Sequence, residues 1–159
     1  MRKAGFFIEL YREGKLRLVE PNEEMKAAYL KKSESYLGSA KLLLDNDRLE
    51  ESVSMTYYSM YYALLSLFFR IGIKCENHSA AIILLKEVFG IDNSEISSAK
   101  KERIDKQYYI DFSITKEEVK EMISTAEEFN SKILDFVEKL NSEKIARFRE
   151  RTKKLLKRV

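Results

Sequence analysis

The side chains that most often perform chemistry are scarce in this chain, which has one histidine and one cysteine. His78 follows Asn77 at the expected start of a helix. It can either pack as a neutral imidazole against Tyr58 or Tyr62, or bind a phosphate or nucleotide where the first backbone amides of the helix converge. Cys75 has no activating base nearby except His78, so we interpret the thiol as incidental. A zinc site needs several histidine or cysteine ligands, so we expect no metal and no cofactor.

Tyrosines dominate a second group of candidate residues, in the apolar segment 52–71. Tyr57 and Tyr61 are four residues apart on one helical face, and Tyr58 and Tyr62 are four apart on the next. A buried tyrosine still needs a hydrogen-bond partner for its hydroxyl. The pattern therefore predicts a central helix whose tyrosines either fill the core or line an interface or base-stacking site. Serines, a threonine and the tyrosine hydroxyls interrupt the apolar run, so we do not expect a membrane span.

Basic residues are concentrated in two places. A polar helix predicted over residues 95–108 carries four of them: Lys100, Lys101, Arg103 and Lys106. The tail, residues 141–159, has eight basic against two acidic residues, which gives it a net charge of +6 and leaves −3 for the rest of the chain. Such a tail either contacts a polyanion or an acidic partner, or forms a solvated terminal helix.

The elements that must position these residues are helices. The chain has only five glycines and one proline, with 45% hydrophobic and 35% charged residues, a composition typical of a helical protein. Hydrophobic periodicity and end signals predict an all-α antiparallel four-helix bundle. The predicted segments are 22–45 with Asn22 as N-cap, 52–71 closed by Gly72, 78–89 capped by Asn77, 95–108, and 115–140 with a capping box at Thr115 and Glu118. We also expect Asp47 and Glu50 to cap the central helix.

Outside the bundle the pattern is weaker. Residues 1–21 form an N-terminal arm, which is either a small hairpin or a helix followed by an extended stretch. Residues 22–140 form the bundle, residues 73–77 a loop within it, and residues 141–159 a basic helical tail. No signal-peptide pattern is visible and one cysteine cannot form an internal disulfide, so we expect a cytoplasmic protein.

Five segments stand in a definite order and spacing within this framework. They are the run LVEPNEEMKAAYLKKSESYLGSAKLLL, the run YYSMYYA from Tyr57, Gly72 followed by NHSA, Arg103 with Tyr108 and Tyr109, and the run TKEEVKEMISTAEEFNSKI from Thr115. Together they resemble the HEPN family, in particular its uncharacterised prokaryotic branch. The resemblance implies a small helical bundle that pairs as a homodimer and is often encoded beside a minimal nucleotidyltransferase as a toxin–antitoxin-like couple.

The resemblance also implies a site. Many HEPN proteins are metal-independent RNases whose signature is an arginine, four to six intervening residues and then a histidine. Arg103 matches the arginine, but Tyr108 or Tyr109 occupies the place of the histidine. A tyrosine hydroxyl is a poor general base at neutral pH because its usual pKa is about 10. The arginine and its neighbouring lysines could still hold a phosphate.

Three functions follow from these observations. The first is a HEPN-type module that binds RNA or nucleotide through Lys100, Lys101, Arg103 and Lys106 and pairs with a nucleotidyltransferase. The second is a metal-independent endoribonuclease whose site lies at a dimer interface and uses Arg103 with Tyr109 or His78. The third is a structural helical adaptor.

Overall fold

A computed structural model of the chain describes residues 2–108 and 113–157. Over these ranges it consists of helices with one two-stranded sheet, which confirms the predicted all-α fold. The elements are α1 (Arg2–Arg12), β1 (Leu16–Leu18), α2 (Glu23–Asp45), α3 (Leu49–Ile71), β2 (Ile73–Cys75), α4 (His78–Glu87), α5 (Ser94–Tyr108), α6 (Lys116–Glu138) and α7 (Ser142–Lys157). No helix in the described ranges is both long and apolar enough to cross a bilayer.

Side-chain caps fix three of the helix starts where the sequence predicts them. The carboxamide oxygens of Asn22 and Asn77 each accept a hydrogen bond from the backbone amide three residues on, at 2.9 Å. Thr115 and Glu118 form the reciprocal capping box at the start of α6, with bonds of 3.2 and 2.9 Å. Each cap satisfies amides that the first helical turn leaves without partners.

The start of the central helix differs from the prediction. α3 begins at Leu49, three residues before the predicted start, and its N-cap is Arg48 without a side-chain hydrogen bond. The predicted capping pair of Asp47 and Glu50 is therefore wrong. Asp47 adopts a left-handed conformation with φ of 58°, which turns the chain directly from α2 into α3 and leaves Asp47 outside the helix.

The N-terminal arm is a helix followed by an extended stretch, the second of the two expected forms. The stretch contains β1, which pairs antiparallel with β2 and aligns Leu16 with Cys75 and Leu18 with Ile73. The predicted loop 73–77 therefore begins with a short strand. Pairing across the chain satisfies the backbone groups of both segments and ties the N-terminus to the end of α3.

The core is built around α3, which packs against α2, α5 and α6. Its inward face is almost completely buried, with Tyr57, Leu64 and Phe68 at 0% exposure. Burying one such side chain stabilises the fold by about 1.5–3 kcal/mol. A second face of α3, which includes Tyr58 and Tyr62, is only half-buried. This face borders the candidate site.

The basic tail is a docked helix. Phe148 of α7 packs against Phe89 and Phe136, with ring centroids 5.0 and 5.7 Å apart. The Arg149 guanidinium donates to the carbonyl oxygens of Val19 at 2.7 Å and Ile71 at 3.0 Å. One side of α7 therefore belongs to the core, and its other side is exposed.

Candidate functional site

The site lies where the start of α4 meets the middle of α3. His78 is the first residue of α4, and its Nδ1 is 2.7 Å from the Tyr57 hydroxyl. The Tyr61 ring stacks on the imidazole with centroids 3.8 Å apart and an interplanar angle of 11°. Both tyrosines are buried. Two side chains that are one helical turn apart on α3 therefore fix the position and the orientation of the only histidine in the chain.

Arg103 of α5 reaches the same tyrosines from the other side. Its guanidinium carbon is 5.3 Å from the centroid of the Tyr57 ring and 5.3 Å from that of the Tyr58 ring. Its Nη1 donates to the Tyr58 hydroxyl at 3.3 Å. A guanidinium over a tyrosine face is stabilised by the ring quadrupole. Tyr57 therefore connects Arg103 and His78, which are distant in sequence.

Lys100 adds a second positive charge at the start of α4, where its ammonium donates to the Ser79 hydroxyl. Partial burial, and then the charge of Arg103, lower the pKa of Lys100. Burial also lowers the pKa of His78, and the charges of Arg103 and Lys100 lower it further. The cations destabilise one another here, so an anion placed between them would relieve the repulsion.

Lys106 lies one turn after Arg103 on the same face of α5, but its side chain points inward and is only 2% exposed. Its ammonium donates to the Ser113 carbonyl at 3.0 Å and lies 3.8 Å from the Glu102 carboxylate. Together with Arg103 and Tyr58 it lines a cleft of about 410 Å³ between α3 and α5. Lys106 therefore contributes positive charge to the wall of this cleft.

Of the two remaining predicted residues, one lies on a groove next to Lys100 and the other cannot be placed. Lys101 is exposed on another side of α5 and borders a groove between α4 and α5 that also contains Ser79, Ile83 and Lys100. Tyr109, the predicted substitute for the family histidine, lies outside the described residues. The cluster itself consists of Arg103, His78, Lys100 and the tyrosines of α3.

The four tyrosines divide into two pairs with different surroundings. Tyr57 and Tyr61 are core residues, and burial raises the pKa of both hydroxyls above the usual value for tyrosine. Tyr58 and Tyr62 are half-buried. Burial and a hydrogen bond with Tyr36 raise the pKa of Tyr62 to about 12. Tyr57 and Tyr61 therefore fill the core, and Tyr58 and Tyr62 lie at the partly exposed surface of α3.

The half-buried pair continues into an aromatic cluster with α2 that sequence reasoning missed. The Tyr62 ring lies 4.9 Å from that of Tyr36 and 5.7 Å from that of Tyr29. The Lys32 ammonium lies 4.4 Å from the Tyr62 centroid. The signal was the spacing of Tyr29 and Tyr36, seven residues apart and hence on one face of α2.

The site offers neither a metal centre nor a reactive thiol in the part of the chain that the structure describes. No group of three or more potential metal-ligating side chains occurs there. Burial raises the pKa of the Cys75 thiol to about 11, and the thiol donates to the Asn77 carbonyl at 3.4 Å. A thiol protonated at neutral pH is a weak nucleophile. The groups available for chemistry are thus an arginine, a lysine, an imidazole and phenolic hydroxyls.

Comparison with known proteins identifies similar chains. The UPF0332 protein of Thermotoga maritima is 28% identical over 125 residues, which cover 74% of this chain and 92% of that protein. A UPF0332 protein of Pyrococcus horikoshii is 43% identical over 54 residues, 34% of this chain and 38% of that protein. Residues 27–140 match the HEPN domain, and these residues include every element of the cluster around Tyr57. The chain therefore belongs to the HEPN domain family.

Proposed function

We propose that this protein is an RNA- or nucleotide-binding HEPN module whose phosphate site is formed by Arg103 and Lys100. The observation that supports this most strongly is the position of the Arg103 guanidinium, which is held against Tyr57 and Tyr58 beside a second cation. A planar guanidinium binds phosphate oxygens through paired hydrogen bonds. Its tyrosine contacts restrain it before binding, so less side-chain entropy is lost when a phosphate arrives.

The cleft beside Arg103 favours a nucleotide over a simple polyanion. Glu50 and Glu51 line the same cleft as Arg103 and Lys106. Carboxylates repel a second phosphate but accept hydrogen bonds from ribose hydroxyls and from exocyclic amino groups of bases. A nucleotide with its phosphate at Arg103 and its sugar or base toward α3 would interact favourably with both the basic residues and the carboxylates of the cleft. The half-buried Tyr58 ring is available for stacking.

A metal-independent endoribonuclease is the second candidate. It is favoured by one observation, that Tyr57 brings His78 and Arg103 together although the sequence lacks the family histidine after Arg103. For Nε2 of His78 to accept the 2′-hydroxyl proton of RNA, Nδ1 must carry the ring proton and donate it to the Tyr57 hydroxyl oxygen, 2.7 Å away. The lowered pKa keeps the imidazole neutral at pH 7, as a base requires. Arg103 would stabilise the charge that develops on the phosphorane.

Homodimerisation and a nucleotidyltransferase partner are parts of the same proposal. The half-buried aromatic face of α3 and α2 supports a second copy of the chain as a partner, because buried aromatic residues are enriched at interface cores. A dimer would have about twice the monomer mass of 18.7 kDa, which light scattering after size exclusion distinguishes directly. A monomer at micromolar concentration contradicts the dimer. Co-purification with a nucleotidyltransferase tests the toxin–antitoxin-type pairing.

RNA binding is tested by fluorescence anisotropy with a labelled 12-nucleotide single strand in EDTA. Arg103→Gln should weaken binding about 10- to 100-fold, the range of a charge-assisted bidentate contact. Lys120→Gln, an exposed lysine on α6, is the matched control and should bind like the wild type. Equal affinity for the wild type and Arg103→Gln excludes this phosphate site, and no RNA binding by either protein leaves the structural adaptor.

The same samples separate a binding module from an enzyme. Gel analysis of total RNA in EDTA should show cleavage only if the second candidate holds, and His78→Ala should then abolish it. Intact RNA at high protein concentration, with binding retained, supports the binding module.

A further inference from the structure

The exposed side of α7 carries a stripe of cations. Lys144, Arg147, Arg151 and Lys154 follow one another at intervals of three and four residues and are all exposed. Residues at these intervals lie on one side of a helix, and the stripe is about 15 Å long at 1.5 Å per residue. The two acidic residues of the helix, Glu143 and Glu150, lie next to the stripe, where Glu143 is 3.5 Å from Arg147 and Glu150 is 3.0 Å from Lys153. The four residues of the stripe are all basic, and the two acidic residues lie along one edge of it.

Arg151 attaches this stripe to the end of α4. Its Nη1 donates to the Val88 carbonyl, directly after α4, at 3.1 Å. Lys100 donates to Ser79 at the other end of the same helix. These two anchor points are about 14 Å apart along the helix axis. One short helix therefore separates the cations of the candidate site from the cations of α7.

The surface between the two groups is partly exposed and carries two lysines, one of them near the Asp92 carboxylate. Ser79, Ile83 and Lys86 recur at intervals of four and three residues along α4 and are at least partly exposed. Lys101 borders the groove beside Ser79 and Ile83. A chain lying along this side of α4 would thus pass Lys101 and Lys86 between the two cationic groups. In a stacked single strand a distance of 14 Å corresponds to about four nucleotides.

We propose that one RNA strand bound at Arg103 and Lys100 continues along α4 and contacts the α7 stripe with its phosphates. This inference rests on the proposed RNA binding and extends the binding surface beyond the residues that match the HEPN domain. Nucleic acid suits the stripe better than a protein partner does, because lysine is depleted at protein interfaces and Ala146 is the only exposed apolar residue of α7 in the described range. Each phosphate contact releases counterions, so the stripe adds affinity that depends on salt.

The test compares two RNA lengths and two matched double variants. The probes are a labelled uridine trinucleotide, long enough for the Arg103 site alone, and a labelled 12-nucleotide oligouridine, long enough for both groups. Arg147→Gln with Lys154→Gln removes two charges from the stripe and leaves the structural contacts of Arg149 and Arg151 in place. Lys41→Gln with Lys120→Gln removes two exposed charges from α2 and α6 as the control.

The stripe variant should bind the long RNA on the order of tenfold more weakly at 0.15 M salt, and its log–log salt slope should be shallower by about 1.4, or 0.7 per lost contact. It should bind the trinucleotide like the wild type, and the control should match the wild type with both probes. Long-RNA affinity unchanged in the stripe variant overturns the inference and leaves the Arg103 site intact. If Arg103→Gln weakens the binding of neither RNA probe, the proposed phosphate site is wrong instead. Thermal melting of each variant establishes that the fold is retained.

Discussion

The attachment of α7 to the bundle leads to a sharp prediction at Gly72. This residue ends α3 in the left-handed conformation, with φ of 88°. A methyl group added there would overlap the Val19 carbonyl oxygen and the Arg149 guanidinium, which lies across the same backbone. The substitution Gly72→Ala should therefore loosen the joint between the end of α3, the N-terminal arm and α7.

The expected loss of stability combines two terms. A residue with a side chain costs about 1–2 kcal/mol in the left-handed conformation. Displacing the guanidinium from its carbonyl partners removes charge-assisted hydrogen bonds with a contribution of about 1.5–3 kcal/mol. The sum is about 2.5–5 kcal/mol, which for a chain of this length lowers the melting temperature by about 5–20 °C. Because native proteins are stable by about 5–15 kcal/mol, the variant should fold but melt early.

Thermal melting followed by circular dichroism measures this, with Gly90→Ala as the matched control. Gly90 also has a positive φ, 68°, but no atom lies within 4 Å of the position of its added methyl. Gly90→Ala should lower the free energy of unfolding only by the cost of the left-handed conformation, about 1–2 kcal/mol. Arg149→Ala combined with Gly72→Ala should destabilise by less than the sum of the single changes, because both act on one contact. Equal melting temperatures for the two glycine variants would refute a stabilising contact between Arg149 and the end of α3.

Three further predictions concern the caps and the histidine. Thr115→Ala removes the capping box of α6 and should lower the free energy of unfolding by about 1 kcal/mol, measured by chemical denaturation. Ser113→Ala, just before the cap, is the control and should be nearly neutral. An equal loss of stability in both variants would contradict the cap. Tyr57→Phe leaves His78 Nδ1 without its hydroxyl partner and should cost about 1–3 kcal/mol, whereas an unchanged unfolding free energy would place that hydrogen bond in doubt. In the folded chain the pKa of His78 lies below its ordinary value of 6.5. Above pH 6.5 the imidazole is neutral in both the folded and the unfolded chain. As the pH drops below 6.5 the unfolded chain gains the proton first, so the free energy of unfolding falls. His78→Gln should flatten this part of the pH–stability curve, and an identical curve for the variant would contradict the lowered pKa.

Local signals were sufficient to predict most of the helices. Asn22, Asn77 and Thr115 each place a hydrogen-bonding side chain before an apolar periodic run, and each caps a helix where expected. Gly72 ends α3 because glycine adopts a positive φ at little cost. These features depend on a few neighbouring residues, which is why they can be read from the sequence.

Features that depend on distant partners could not be predicted in the same way. The pairing of β1 with β2 involves three residues on each side, too few for a periodic pattern. The spacing of the tyrosines defined two faces of α3, but not which face meets α4. The expected contact of His78 with Tyr58 is present edge-on at 6.4 Å, but the hydrogen bond to Tyr57 and the stacking on Tyr61 were not predicted. Arg149 appeared to be one more charge of a basic tail, because its carbonyl partners lie far away in the sequence.

The proposed phosphate position lies between Arg103 and Lys100, beside His78. Since the chain has one histidine, the Hε1 proton of its imidazole gives a single titrating NMR resonance, and no residue assignment is needed. A saturating uridine trinucleotide should raise the pKa of His78, because a nearby anion favours the protonated imidazole and offsets the two cations that lower it. The same His78 pKa with and without bound RNA would show that the phosphate binds elsewhere and would contradict the proposed site.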